Sequence, residues 1–305
     1  MNLYYNGTDI YNDVSVNYCV HEMFAEKQAD TLVIRFNDTK GVWSKWNPAE
    51  GDTLRFVEEA SDTGKMFLHS MKPENGLFTL RAMSMPKSGK TKKSKSWEGV
   101  RFLQLANEFA GNHGLTFQNY GCEDQMYPYL AQRNETDFAF FSRLCTLEGC
   151  QMLIYDGKLL AYKEQYIEGQ TPAGTLEVDE NGNFTYQDNR GACYGSCEIA
   201  SGSFSGIFSA PGAQSAAVLR PENIKATSNA EAARFAKGLL RNANKYGHTG
   251  QFSKALLTGY AAASLLQLKT DKASAWNGTV FLYKVRHDFV GNKSTLYFRD
   301  LLEGY

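Results

Sequence analysis

The sequence predicts a mainly β, α+β fold, with two β-rich stretches flanking a short stretch that carries helices. Three observations carry this reading. Apolar residues alternate with polar ones along most of the chain, aromatic residues make up 13%, and only seven Pro stand against 27 Gly, which suits strands joined by tight turns. The chain has 305 residues, 43% of them hydrophobic and 21% charged, a globular composition long enough for about two domains and unlike a disordered chain.

From Met1 to Met85 the alternation marks strands at residues 31–38, 52–59, 64–71 and 76–85, separated by Gly, Asn, Asp or Pro clusters. That spacing is the rhythm of an antiparallel sheet closed into a barrel or sandwich. Residues 86–96 then hold Lys87, Lys90, Lys92, Lys93 and Lys95 among small polar residues. With nothing apolar to anchor them, they read as an exposed, mobile loop and a candidate interface.

Beyond that loop, Ser96 is the expected N-cap of a helix with Phe102, Leu105, Ala106 and Phe109 on one face, and Gly111 and Gly114 stop it. Thr136 caps a second helix carrying Phe140, Phe141, Leu144 and Leu147, with Gly149 placed for a left-handed C-terminal turn. Asp156-Gly157, between two apolar runs in 150–164, is the favoured pair for a type I′ hairpin. The Gly, Ser and Asn-rich stretch from Gly169 to Pro221 offers strands within 175–188 and 196–208. Ser228 and Glu231 form a capping box for a helix lined by Ala232, Phe235, Ala236, Leu239 and Ala243. Strands at 263–270, 278–289 and 293–302 close the chain. The expected division is a β domain at 1–90, an α+β domain at 91–165, and a second β domain with one crossing helix at 166–305.

Few functional classes survive this reading. Thirty-two basic residues against 33 acidic ones leave a formal charge of -1, so no overall field attracts nucleic acid or an anionic membrane. No aromatic residue is interleaved among the five Lys to stack bases, so specific nucleic-acid binding is not expected. No segment has the length and composition of a membrane anchor or signal peptide, and synthesis in the bacterial cytoplasm is expected. Cys145 with Cys150 and Cys193 with Cys197 are not CxxC pairs, so the six Cys read as structural thiols, with no metal and no cofactor. The Lys-rich segment fails as a phosphate-binding loop, because the required Gly position is Ser84. His21, His69, His113, His248 and His287 stand alone in sequence, and no nucleophile elbow occurs. His287, in an alternating strand, reads as a packed imidazole. Glu58-Glu59 and Asp179-Glu180 are adjacent in sequence and would point to opposite faces of a strand, unlike a glycosidase pair. No catalytic residue emerges.

Two segments nevertheless resemble a known family as a pair. Residues 93–117, with Lys95, Ser96 and Trp97, and residues 132–162, with Asn134, Glu135, Thr136, Asp137, Phe138, Arg143, Leu144 and Gly149, resemble the phage late control protein D family. That family includes baseplate hub proteins of contractile tails and is related to the type VI secretion spike hub. The helix at 228–250 and the ending at 277–299, with Tyr283, Val285, His287 and Gly291, fit the same pattern. The resemblance runs from about residue 75 to the end. It implies two tube-like β-barrels around the α+β region and a homotrimer on the tail axis. The ring would receive a six-fold tail tube, or a tube initiator, on one side and a three-fold spike protein on the other, with baseplate wedge proteins around it. Such a hub sits in the tail baseplate of a virion, bacteriocin or other contractile particle. It is structural, not enzymatic, and no appended lysozyme, spike needle or peptidoglycan-binding module is expected. The alternatives from other classes are a tail-tip cell-wall hydrolase and a carbohydrate-binding module.

Overall fold

The computed structural model describes residues 1–178, 184–213, 215–270 and 273–305, and the protein is mainly β. The Asp179-Glu180 pair lies outside the described residues. One 14-stranded sheet takes strands from both ends of the chain. In sheet order, its first half runs Val16–Phe24, Thr31–Asn37, Leu77–Met83, Met66–Glu74, Thr53–Glu58 and Asn2–Tyr5. The second half runs Phe184–Asp188, His248–Ala255, Lys293–Asp300, Gly278–Asp288, Ser264–Thr270 and Thr175–Val178. Numbered along the chain within each half, both orders read second, third, sixth, fifth, fourth, first. Neighbours are antiparallel, except that Thr175–Val178 runs parallel to Ser264–Thr270 where its counterpart Asn2–Tyr5 is antiparallel. The halves join through a ladder that pairs Val20–Phe24 with Lys284–Asp288 and sets His21 opposite His287.

Each half has its own core. In the first, Leu3, Cys19, Ile34, Leu54, Met66 and Leu80 come from six different strands and share one cluster. The short helix α1 (Val42–Trp46) plugs it: the Trp43 ring lies 4.3 Å from Phe36 and 6.2 Å from Tyr5. Phe36 and Tyr5 sit on strands four places apart, about 19 Å in a flat sheet, so the sheet curls to bring both to one indole. The second half packs Phe252, Leu266, Leu282, Val285, Leu296 and Phe298. Its end is covered by Trp276, stacked 3.4 Å from the His248 ring and 4.6 Å from Tyr186.

The middle of the chain supplies helix α2 (Phe102–Asn112), helix α3 (Asp137–Leu147) and the hairpin Cys150–Tyr155 with Lys158–Lys163. Thr116–Tyr120 adds parallel to that hairpin, and helix α4 (Glu164–Glu168) follows it. Local signals act as the sequence suggests. Thr136 Oγ1 accepts from Ala139 N at 3.1 Å, Gly149 has φ +68, and Asp156-Gly157 turns at φ 48 and 71. Helix α5 (Asn229–Asn244) is capped by Ser228, whose Oγ accepts from Glu231 N at 3.1 Å. The Glu231 carboxylate reaches back to Thr227 N, one residue earlier than the capping box predicts.

Three expectations need correction. The Lys-rich stretch is not a loop: Lys87–Lys90 is a 3-10 turn, and Lys92–Arg101 is a strand paired with Met126–Thr136. Its partner lies some thirty residues away, so no local pattern announces it. Ser96 therefore caps nothing, and α2 starts at Phe102, where Asp124 Oδ1 accepts from Leu103 N at 2.9 Å. Finally, α5 lies between strands of the second half in sequence, but its Phe235, Ala236 and Leu240 share the core of Phe102, Phe140, Phe141 and Leu144. The sheet Phe204–Ser209, Ser196–Ser201 and Val218–Leu219 joins the same core. Burial of these residues in one core thus assigns residues 196–213 and 215–244 to the middle body and not to the second sheet half.

Candidate functional site: strand edges and a buried ion cluster

The five Lys singled out by sequence do not act as one patch. Lys87 pairs with Glu50 at 2.7 Å, Lys95 with Glu108 at 2.6 Å, and Lys93 with the buried Asp137 at 3.0 Å. Lys90 and Lys92 point to solvent. The two exposed pairs, Lys87–Glu50 and Lys95–Glu108, contribute about 0–1 kcal/mol each.

The histidines are less isolated than the sequence suggests. His248 Nδ1 meets Asp300, and His287 bonds Ser294 Oγ at 2.7 Å and the Tyr260 carbonyl at 3.0 Å. His113 lies between Ser88 and Asp137: Nδ1 to Ser88 Oγ is 2.8 Å, and Nε2 to Asp137 Oδ2 is 3.1 Å. This has the residue types of a hydrolase triad without the rest of the machinery. The Asp137 carboxylate also accepts from Lys93, Asn112 and Gln132, so it is saturated before it orients a base. Gly89 N is bonded to Pro86 O at 3.0 Å and Thr91 N to Ser88 O at 3.1 Å, which leaves neither amide to hold an oxyanion beside Ser88. Burial lowers the His113 pKa, against the opposing pull of Asp137. The trio ties the 3-10 turn to the start of α3.

Cys145 and Cys150 lie in the middle core, and burial pushes the Cys145 thiol well above its ordinary value. No group of three His, Cys, Asp or Glu among the described residues could hold a metal ion. No described helix is long and apolar enough to cross a membrane.

A feature without a sequence signal sits where the three bodies meet. Two i, i+4 pairs face each other: Glu164 and Glu168 on α4, Arg241 and Lys245 at the end of α5. Arg241 Nε is 2.8 Å from Glu164, and its Nη2 is 2.7 Å from Glu168. Arg299, from the last strand, lies 3.2 Å from Glu164 and 2.9 Å from Glu168. Glu26, from the first half, takes Lys245 and the Tyr246 hydroxyl. Three acids and three bases thus balance, and all six side chains are at least nine-tenths buried. Burial raises the Glu164 carboxyl, but Arg299, Lys245 and Arg241 overcome that and hold it at about 2. Beside this junction lies a cavity of about 350 Å³ lined by Asp30, Asp62, Tyr155, Tyr260 and Leu160. Burial lifts Asp30 to about 7.

The open edges of the large sheet complete the surface features. Ser70–Glu74, the end of strand Met66–Glu74, is exposed at all five residues. Phe184–Asp188 is the last strand on the opposite side of the sheet.

No family model matches this sequence, and no curated protein matches it. Solved structures do match its fold over nearly the whole chain. A tail protein from Neisseria meningitidis MC58 is 11% identical with a TM-score of 0.75, over 98% of this chain and 95% of the other. The 43 kDa tail protein of prophage MuSo2 from Shewanella oneidensis is 9% identical with a TM-score of 0.76, over 98% and 97%. The E. coli c3393 protein, a type VI secretion component described as similar to T4 tail proteins gp27 and gp5, is 12% identical with a TM-score of 0.65, over 100% and 78%. The fold is therefore that of phage tail and type VI secretion spike-related proteins.

Proposed function

We propose that this chain is a structural baseplate hub of a contractile phage tail or tail-like particle. Three copies form a ring that adapts a six-fold tube to a three-fold spike. The observation that carries the reading is the doubled strand order. Three copies of a chain with two like halves present six similar units to a tube ring, while the chain itself repeats only three times around the axis. On this reading the partners are a tail tube or initiator ring on one face, a spike protein on the other, and baseplate wedge proteins at the rim. No cofactor is needed for such a role, and no catalysis is assigned.

Light scattering on the purified protein is expected to give the mass of three 34.1 kDa chains, and electron micrographs a ring with an axial hole. A monomer that forms no ring even with its tube and spike partners would overturn the reading. The hydrolase alternative is opposed by the saturated Asp137 and the occupied amides around Ser88. Cell-wall zymograms of the same preparation are expected to show no clearing, and lysis abolished by Ser88→Ala would establish the hydrolase instead.

A further inference from the structure

The repeated strand order assigns a specific partner to an edge that a single chain leaves open. In the second half, strand Gly278–Asp288 changes neighbours midway. Residues 278–282 face Ser264–Leu268; past a bulge between Leu282 and Lys284, residues 284–288 face Val20–Phe24. Its counterpart in the first half is built alike. Met66 and Phe67 face Leu54 and Thr53, a bulge falls between Leu68 and Ser70, and Ser70–Glu74 then runs past the end of that neighbour, exposed at every residue. The two bulges fall at the same place, so the second stretch of each strand is offered to the same kind of neighbour. Only one of the two offers is taken within the chain.

The strand that takes it, Val16–Phe24, is the second strand of the first half. The second strand of the second half is Phe184–Asp188, which ends the sheet. Six strands separate it from Met66–Glu74 in the same sheet, so it reaches that edge only from another molecule. We infer that Phe184–Asp188 of one copy adds antiparallel to Ser70–Glu74 of the next copy of this chain. The inference rests on the three-copy hub reading and gives it a contact.

The register follows from the pairings on the page. Glu22 faces Thr31, which faces Met83; Gln187 faces Thr249, which faces Arg299. Met83 and Arg299 each lie two residues beyond the residue opposite the end of their bulge, Arg81 and Tyr297. Gln187 is therefore the counterpart of Glu22, and Lys72 that of Arg286, which faces Glu22. Lys72 of one copy should sit opposite Gln187 of the next. Inside the chain this place holds Glu22 with Lys284 at 3.0 Å and Arg286 at 3.9 Å, so the contact between copies lacks that ion pair. Pro73, at the position of His287, has no N–H, so Ser70–Lys72 carries the new ladder while Pro73 and its charged neighbours discourage other strands.

The test is a Lys72→Cys, Gln187→Cys double variant of the full chain under mild oxidation. A covalent three-chain species is expected on a non-reducing gel. Each single variant should not form it, and Lys72→Cys with Thr185→Cys, two residues out of register, should form it at least ten-fold more slowly. If light scattering gives a three-chain mass but the double variant links no faster than the single ones, the ladder is wrong while the hub reading stands. If the chain is monomeric at every concentration, both fall.

Discussion

At the residue scale the seam between the two sheet halves holds an unusual pair. His21 and His287 are opposite each other on the joining ladder, both fully buried. His287 bonds Ser294 and Tyr260, whereas neither ring nitrogen of His21 has a hydrogen-bond partner. Burial, and then the neighbouring His287, depress the His21 pKa to about 3, against about 6.5 in an unfolded chain. The native state therefore excludes a proton that the unfolded state takes up below pH 6.5. The stability this neutral imidazole allows is intact above that pH and is lost as pH falls towards 3, by up to about 1.4 kcal/mol per pH unit. His21→Phe removes the titration and an unsatisfied polar ring together. Its urea midpoint is expected to change less than that of the wild type between pH 6.5 and 4.5. A profile parallel to the wild type across that range would show that His21 does not carry the acid sensitivity.

At the element scale α5 is docked by two glycines. A Cβ at Gly238 would stand 2.4 Å from the Leu147 carbonyl oxygen and 2.6 Å from Gly149 N, and one at Gly206 would stand 2.2 Å from Ala233 N. All are backbone atoms, which cannot rotate away. In an open helix Gly→Ala gains about 1 kcal/mol; here Gly238→Ala should instead destabilise by about 1–3 kcal/mol, as overpacking does. Thermal melts decide it, and a raised Tm would mean that α5 is not seated on the end of α3. The same element shows what local pattern can and cannot tell. The Ser228 cap and the apolar stripe of α5 were legible because both signals lie within one helix. Which body that stripe covers was not, because Phe140 and Phe141 lie some ninety residues earlier. The Lys strand failed for the same reason: its alternation is hidden by polar residues, and its only apolar anchors are Trp97 and Val100 at the far end. The seam strand Val16–Phe24 likewise carries no local mark, because its polar and buried residues follow no clean alternation.

For the whole molecule, the repeat is one of topology and not of sequence: Pro73 answers to His287 and Gln187 to Glu22, so no residue-by-residue comparison reveals the two halves. The ion cluster was equally invisible, since its six members come from Glu26 to Arg299 and meet only when three bodies have packed. That placement makes the cluster a coupling device. Three cores are joined by the His21 ladder, by an apolar cluster of Ala25, Tyr162, Leu265 and Phe281, and by the only described site where all three bodies exchange charge. Glu164 is its hub, touching Arg241, Lys245 and Arg299. Glu164→Gln leaves those buried cations undercompensated and should cost about 3–5 kcal/mol. The four Trp report where the loss is felt, because Trp43 and Trp46 lie in the first half, Trp97 in the middle core and Trp276 on the second half. With fluorotryptophan incorporated, the four resonances of the wild type are expected to lose intensity at one urea midpoint. In Glu164→Gln the Trp276 and Trp97 midpoints should separate, since the second half and the middle body lose one of the two anions they share and keep only Glu168. A common midpoint that merely moves to lower urea would show that the sheet seam and the apolar cluster of Ala25, Tyr162, Leu265 and Phe281 couple the bodies without the ion cluster.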